Sequence, residues 1–281
     1  MNEHVAPAPD LTGSQSVDRA LKLLAMVGRH AERGVSLTGI VEDSGLNKPT
    51  ARRLLLALMR AGLVEQHEDS RRYYLGEEAY VLGSLASRRF GLLQLSIDGL
   101  IRLSRKTEDS SFLSVRRGSS SVCLYREEGT YPVRTHALQA GFEHPLGVGA
   151  GSLAILAALP DDEIEGILAA NEAVLKERYP RLLPQRLRED VAETRENGFS
   201  LNPGLIVPNS WGVGMAIRSA DGRPAGALSI AAIDSRMGPD RQQELANYLA
   251  QEAAAVEARL AQMFASRNQA QPKDQSRRIR R

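Results

Sequence analysis

The sequence predicts an α+β protein in two parts: an N-terminal winged helix-turn-helix, joined by a helix to a second domain of strands with flanking helices. Three observations carry this. Residues 44–64, SGLNKPTARRLLLALMRAGLV, place a turn signal before a helix with four basic residues, no acidic ones and a stripe of leucines. A polar tip, HEDSRR, then sits between two short stretches that read as strands, as in a β-hairpin. From Ser111 onwards the texture changes to apolar–polar alternation, interrupted by turn residues and helical repeats.

The elements follow in order. Residues 1–13 are rich in Pro, Ala and Gly and are expected to be disordered. Val17, Ala20, Leu21, Leu24 and Val27 recur at helical spacing, with Ser16 placed to cap. Ser36 caps a short helix through Ile40 and Val41, and Gly45 ends it, as glycine does where a left-handed angle is needed. Asn47 caps a third helix with Pro49 in its first turn, where proline is tolerated. Leu54, Leu55 and Leu58 form its core side, and Gly62 stops it. The hairpin pairs Val64 and Gln66 with Tyr73 and Leu75, closing a domain over 14–76 whose helix-turn-helix spans about 36–56. Residues 77–90 read as a linker helix, and 91–266 as the second domain. Within that domain we expect a helix over 92–107, strands over 111–117 and 120–128, a glycine-rich turn leading into an apolar helix at about 152–159, two further helical stretches, paired strands over 211–219 and 223–233, and a long final helix.

At 281 residues the chain exceeds what one small core usually organises, which agrees with two domains. Its single cysteine, Cys123, cannot form an intramolecular disulfide, no apolar run approaches bilayer length, and the N-terminus lacks a secretory pattern. The expectation is a cytoplasmic protein with no membrane partner. The net charge of +2 conceals an uneven distribution, because residues 267–281 carry six Lys/Arg and one Asp, leaving the rest of the chain at −3. That basic tail is expected to be disordered, with unspecific phosphate attraction as its alternative role.

The basic helix admits two readings, an ordinary amphipathic surface helix or a helix that lies in a DNA groove. The capped short helix and tight turn before it, and the basic hairpin after it, favour the second. Candidate DNA-binding residues are Thr38 on the first helix of the pair, Asn47 at the turn, Lys48, Thr50, Arg52 and Arg53 on the second, and Arg71, Arg72 and Tyr73 on the wing. Sites for such domains are usually read by symmetric dimers, and the first helix (Val17 to Val27) and the linker helix are the candidate dimer surfaces.

At this point the chain resembles the IclR-type transcriptional regulators over residues 14 to 264. The resemblance rests on SVDRALKLL, the 44–64 stretch and YYLG in the first half, and on HPLGVGAGSLAILAALP, RENGFSLN and GALSIAAIDSRM in the second. Pro49 departs from it, standing where relatives commonly carry a small polar residue. The resemblance implies a GAF/PAS-like second domain that senses a small organic acid, a double-stranded operator as partner, and a homodimer or dimer of dimers (a tetramer). Its effector-pocket positions fall on Val133, His136, Ala150, Gly151, Asn202, Gly212, Ser229 and Ala231, with Ser152–Leu153 where relatives often have Gly-Lys.

The residues can also be read without the family. GVGAGS before an apolar helix offers backbone N–H groups and a helix dipole to an anion. A glycine-rich turn needed only for packing is the alternative. The expected ligand is a larger, partly apolar acid, aromatic acids included, with its carboxylate at Ala150–Ser152; Trp211 is either available to stack on a ring or a core or lid aromatic. An enzyme is the competing class, but histidines 4, 30, 67, 136 and 144 show no ligand spacing, and no nucleophile has an evident base. No metal or cofactor is expected. A ligand-blind dimerisation domain is a third reading.

Overall fold

The computed structural model describes residues 14–31, 33–87, 91–133 and 138–270, with side chains to residue 265. The chain divides into two compact units between residues 90 and 91.

In the first unit, α1 (Gln15–Arg29), α2 (Leu37–Ser44) and α3 (Lys48–Arg60) precede a hairpin of β1 (Val64–Gln66) and β2 (Tyr73–Leu75), and α4 (Glu77–Ser87) follows. Ser14, not Ser16, stands at the start of α1, where its hydroxyl donates to Asp18 one turn later (3.1 Å). Ser36 accepts from the Gly39 N–H (3.1 Å), and Asn47 accepts from the Thr50 N–H (2.9 Å), so each helix of the pair has a side-chain cap. Gly45 between them holds φ 65°, a conformation costly for residues with a Cβ. Leu23 and Val27 of α1, Ile40 of α2 and Leu54, Leu55 and Leu58 of α3 share one core with Val64 and Tyr73 of the hairpin. Val35 also pairs with Tyr73 across two backbone hydrogen bonds (2.8 and 3.0 Å), which ties the wing to the start of α2.

The second unit is an antiparallel sheet in the order β5-β4-β3-β8-β7-β6 among the described residues. Its strands are β3 (Ser110–Arg117), β4 (Ser120–Glu127), β5 (Glu143–Pro145), β6 (Ser200–Pro203), β7 (Ser210–Arg218) and β8 (Pro224–Ile233). Strand alternation sorts the side chains onto two faces. Leu113, Val213, Leu228 and Ile230 pack with α5 (Leu92–Thr107) and α9 (Pro239–Ala270). Ala227, from the other face, packs with α6 (Ala150–Ala157), α7 (Asp161–Arg178) and α8 (Pro184–Asn197).

α6 begins two residues earlier than its apolar run suggests, because the chain turns into it at Gly149 (φ 92°) and the Leu153 N–H already donates to the Gly149 carbonyl (2.8 Å). It is buried along its whole length. Its first residue is fastened to the sheet by the Ser200 hydroxyl, which donates to the Ala150 carbonyl (2.6 Å). A Cβ on Gly214 would lie 2.6 Å from that same carbonyl, so the close approach requires glycine. The two short edge strands, β5 and β6, escape a reading by alternation, since three or four residues that include a proline carry no period. α9 continues to Ala270, past the expected start of the tail at 267, since neither Gly nor Pro interrupts the sequence before Pro272. The expected disorder over 1–13 and 271–281 falls outside the described residues.

Candidate functional site

In the first unit the leucine side of α3 is buried, and Lys48, Pro49, Arg52, Arg53 and Leu56 lie together on its open side, lining one shallow depression. Thr38, Asn47, Lys48, Arg52 and Arg53 are exposed, and Thr50 is half-buried. The wing divides its residues differently from the sequence reading. Arg71 (φ 54°) is exposed at the tip. Arg72 turns its guanidinium back to donate to the Gly34 and Arg33 carbonyls (3.0 and 3.4 Å), bracing the loop before α2. Tyr73 is 5% exposed and belongs to the core, so it does not present a side chain to DNA. The reason is the period of a strand: Tyr73 and Tyr74 face opposite ways, and Tyr74 is the one whose hydroxyl reaches outward, to the Arg33 carbonyl (3.2 Å).

The second unit holds a cleft between the first turn of α6 and the sheet. Eight candidate residues meet there: Ala150, Gly151, Ser152, Asn202, Trp211, Gly212, Ser229 and Ala231. Val133 does not line it and is 56% exposed, while His136 lies outside the described residues. The N–H groups of Ala150, Gly151 and Ser152 are in the first helical turn, where no carbonyl of the same helix can serve them. The Ser152 hydroxyl is committed to the loop, accepting from the Gly147 N–H (2.9 Å), so only its backbone is available to a ligand. The hydroxyls of Ser114 and Ser229 converge above Gly151, where a Cβ would stand 3.4 and 3.1 Å from them. Asn202 accepts from the Leu205 N–H (3.2 Å), which turns its amide –NH₂ the other way.

Trp211 lines the cleft and also packs, partly buried, against the α5/α9 core. Gly212, its neighbour, takes the α6 side, again because successive strand residues alternate. Phe112 is a second aromatic residue in the lining, one that the sequence reading missed, with Ser114, Ser121, Leu138, His144, Val148, Ile206 and Ser210. Phe112 pairs in register with Ser229, and Ser114 lies two residues on, so the period of two would have found both had the pairing been known.

Among the described residues, no Lys, Arg, Asp or Glu lines the cleft. Among these residues an anion would be met by a helix N-terminus and neutral donors. His144 in its wall is held below its ordinary pKa, first by burial and then by the charge of Arg178, which favours neutral imidazole. Cys123 is no nucleophile, since burial pushes its thiol up to about 12. Among the described residues no group of His, Cys, Asp or Glu side chains is placed to hold a metal ion, and no helix is long and apolar enough to cross a membrane.

Two family models match this chain: the IclR helix-turn-helix domain over residues 16–68, and the bacterial transcriptional regulator IclR C-terminal domain over 87–258. The chain belongs to the IclR family. It is therefore a DNA-binding transcriptional regulator with an effector-binding C-terminal domain, and the members of this family are not enzymes. The transcriptional repressor IclR of Escherichia coli is 26% identical over 242 residues, 85% of this chain and 88% of the repressor. A crystal structure of an IclR regulator from a Silicibacter species superposes with a TM-score of 0.69 at 27% identity, covering 87% of this chain and 96% of that one. An IclR homologue from Microbacterium hydrocarbonoxydans, crystallised in complex with 4-hydroxybenzoate, shares the fold at a TM-score of 0.69 and 20% identity, covering 88% and 99% of the two chains.

Proposed function

We propose that the cleft takes a monocarboxylic acid larger than a two- or three-carbon acid and partly apolar, with aromatic acids in its range, and that its occupancy alters operator binding. The observation that carries this is a cleft with no charged side chain among its described lining residues, whose donors are the first turn of α6 and the serine hydroxyls at Gly151. One negative charge suits such a site, and the apolar remainder suits Phe112, Leu138, Val148 and Ile206. The IclR homologue known as a complex with 4-hydroxybenzoate supports testing aromatic acids first.

In the same reading, residues 14–76 bind the operator through Lys48, Thr50, Arg52 and Arg53 of α3, with Thr38 and Asn47 beside them and Arg71 on the wing against phosphate. The functional unit is a dimer or a dimer of dimers. α4 supports this, because none of its residues is buried and Tyr80 and Leu85 are 77% and 62% exposed. Val17 and Leu21 of α1 are exposed apolar residues as well.

A thermal-shift screen of organic acids, repeated with operator-length DNA, tests the sensing role. Stabilisation by benzoate- or cinnamate-sized acids, together with a changed response to DNA, is the expected result. Binding by glyoxylate-sized acids alone would overturn the ligand class.

A further inference from the structure

The cleft has a second polar end, away from the serines at Gly151. His144 on β5 lines it opposite its register partner Ser121 on β4. β5 lies three strands from β8, which carries Ser229, and at about 4.8 Å per strand the backbones are roughly 14 Å apart. A two- or three-carbon acid anchored at α6 would leave that far end untouched. The imidazole is not loose: its Nδ1 lies 2.8 Å from the Tyr179 hydroxyl, and the two rings meet edge-on at 76°. Neutral imidazole has one donor and one acceptor. Tyr179 takes Nδ1, and Nε2 has no protein partner among the described residues.

We propose that His144, steadied by Tyr179, is a specificity-determining residue of the cleft, and that its Nε2 meets a hydroxyl at the far end of the bound acid. The effectors are then hydroxy-substituted acids rather than plain ones, an assignment that rests on the acid-sensing reading above. A hydroxyl suits either tautomer, since it both donates and accepts. A second carboxylate suits this end less well, because none of the described lining residues is cationic. Tyr179 is the positioning residue: it sets the ring orientation without lining the cleft itself.

The test is calorimetric titration of the full chain with matched probes, 4-hydroxybenzoate against benzoate and 4-hydroxycinnamate against cinnamate. The wild type is expected to prefer the hydroxylated member of at least one pair by about fivefold or more, the worth of one neutral hydrogen bond. His144→Phe removes the preference while leaving affinity for the plain acid within about twofold, His144→Gln retains part of it, and Tyr179→Phe reduces it. Equal wild-type affinity within both pairs overturns the assignment, and so does a His144→Phe variant that weakens both members alike. If these acids bind without discrimination, only the role of His144 falls. If no organic acid binds the wild type at all, the sensing reading falls with it. The wild-type comparison needs no variant to fold.

Discussion

Replacing Gly151 with alanine adds one methyl group at the point where the cleft, the helix and the serines meet. Gly151 is in the first turn of α6 with helical backbone angles, so alanine fits its conformation. The new Cβ would stand 3.1 Å from the Ser229 Oγ and 3.4 Å from the Ser114 Oγ, and no backbone atom is among its nearest neighbours. Both hydroxyls can rotate away, so folding loses little. Alanine also recovers up to about 1 kcal/mol of helix propensity over glycine, and the two effects nearly cancel. The melting temperature should stay within about 3 °C of wild type. Binding moves the other way. The methyl takes the space where a carboxylate would meet both hydroxyls, and two hydrogen bonds to a charged acceptor at about 1.5 kcal/mol each correspond to a loss of affinity on the order of 100-fold. Titration of an acid found by the thermal screen, alongside mobility shifts of operator DNA without ligand, separates the two. DNA binding should be intact and the ligand response lost. An alanine variant that binds the acid as tightly as wild type would refute the placement of the carboxylate at α6.

Three further outcomes are expected. Arg53→Ala should weaken operator binding by about tenfold or more and lower the salt slope by about one, with the melt unchanged, because the side chain is exposed; Tyr73→Phe, a change in the buried core, should leave operator affinity within about twofold. Arg236→Ala should cost the second unit about 3 kcal/mol in urea unfolding, since the Asp109 carboxylate, 3% exposed, would lose a two-point partner (3.0 and 3.1 Å) and keep only the longer contact to Arg241 (3.4 Å). The pH dependence follows from His144, whose pKa in the folded protein lies below its ordinary 6.5 through burial and Arg178, with the Tyr179 hydroxyl on its other side. The unfolded chain then takes up a proton that the folded one resists. This contribution to stability is whole above about pH 6.5 and is lost as pH falls from there through the folded value. Urea melts at pH 5 and pH 7 should differ less for His144→Phe than for wild type, and an unchanged difference would count against a neutral, buried imidazole.

How much was legible beforehand depended on the range of the interactions. The caps at Ser36 and Asn47, the glycine turn at residue 45 and the hairpin are set by contacts a few residues apart, and the sequence displays them directly. The face of α3 was legible for the same reason, because helical spacing alone separates Leu54, Leu55 and Leu58 from Arg52 and Arg53. Tyr73 shows where local reading fails. Adjacent arginines suggested one surface, but strand alternation and its pairing with Val35 turn the ring inward. Arg72 looked like a wing cation and proved to be bonded to a loop 38 residues earlier in the chain.

The cleft shows the division most clearly. GVGAGS ahead of an apolar run announces a helix N-terminus with little side-chain bulk, because glycine, serine and alanine leave the backbone N–H groups uncovered. That an anion would be welcome there could be read from residue types alone. What surrounds it could not, since Phe112 and Ser114 reach the site from β3, His144 from β5 and Ser229 from β8, and their meeting depends on strand order and register. Pairing partners more than 100 residues apart leave no local period to detect. The exposed helix N-terminus is thus a property of a short stretch of chain, while the shape of the cleft around it and the placing of His144 in its wall arise only when the sheet closes beneath α6.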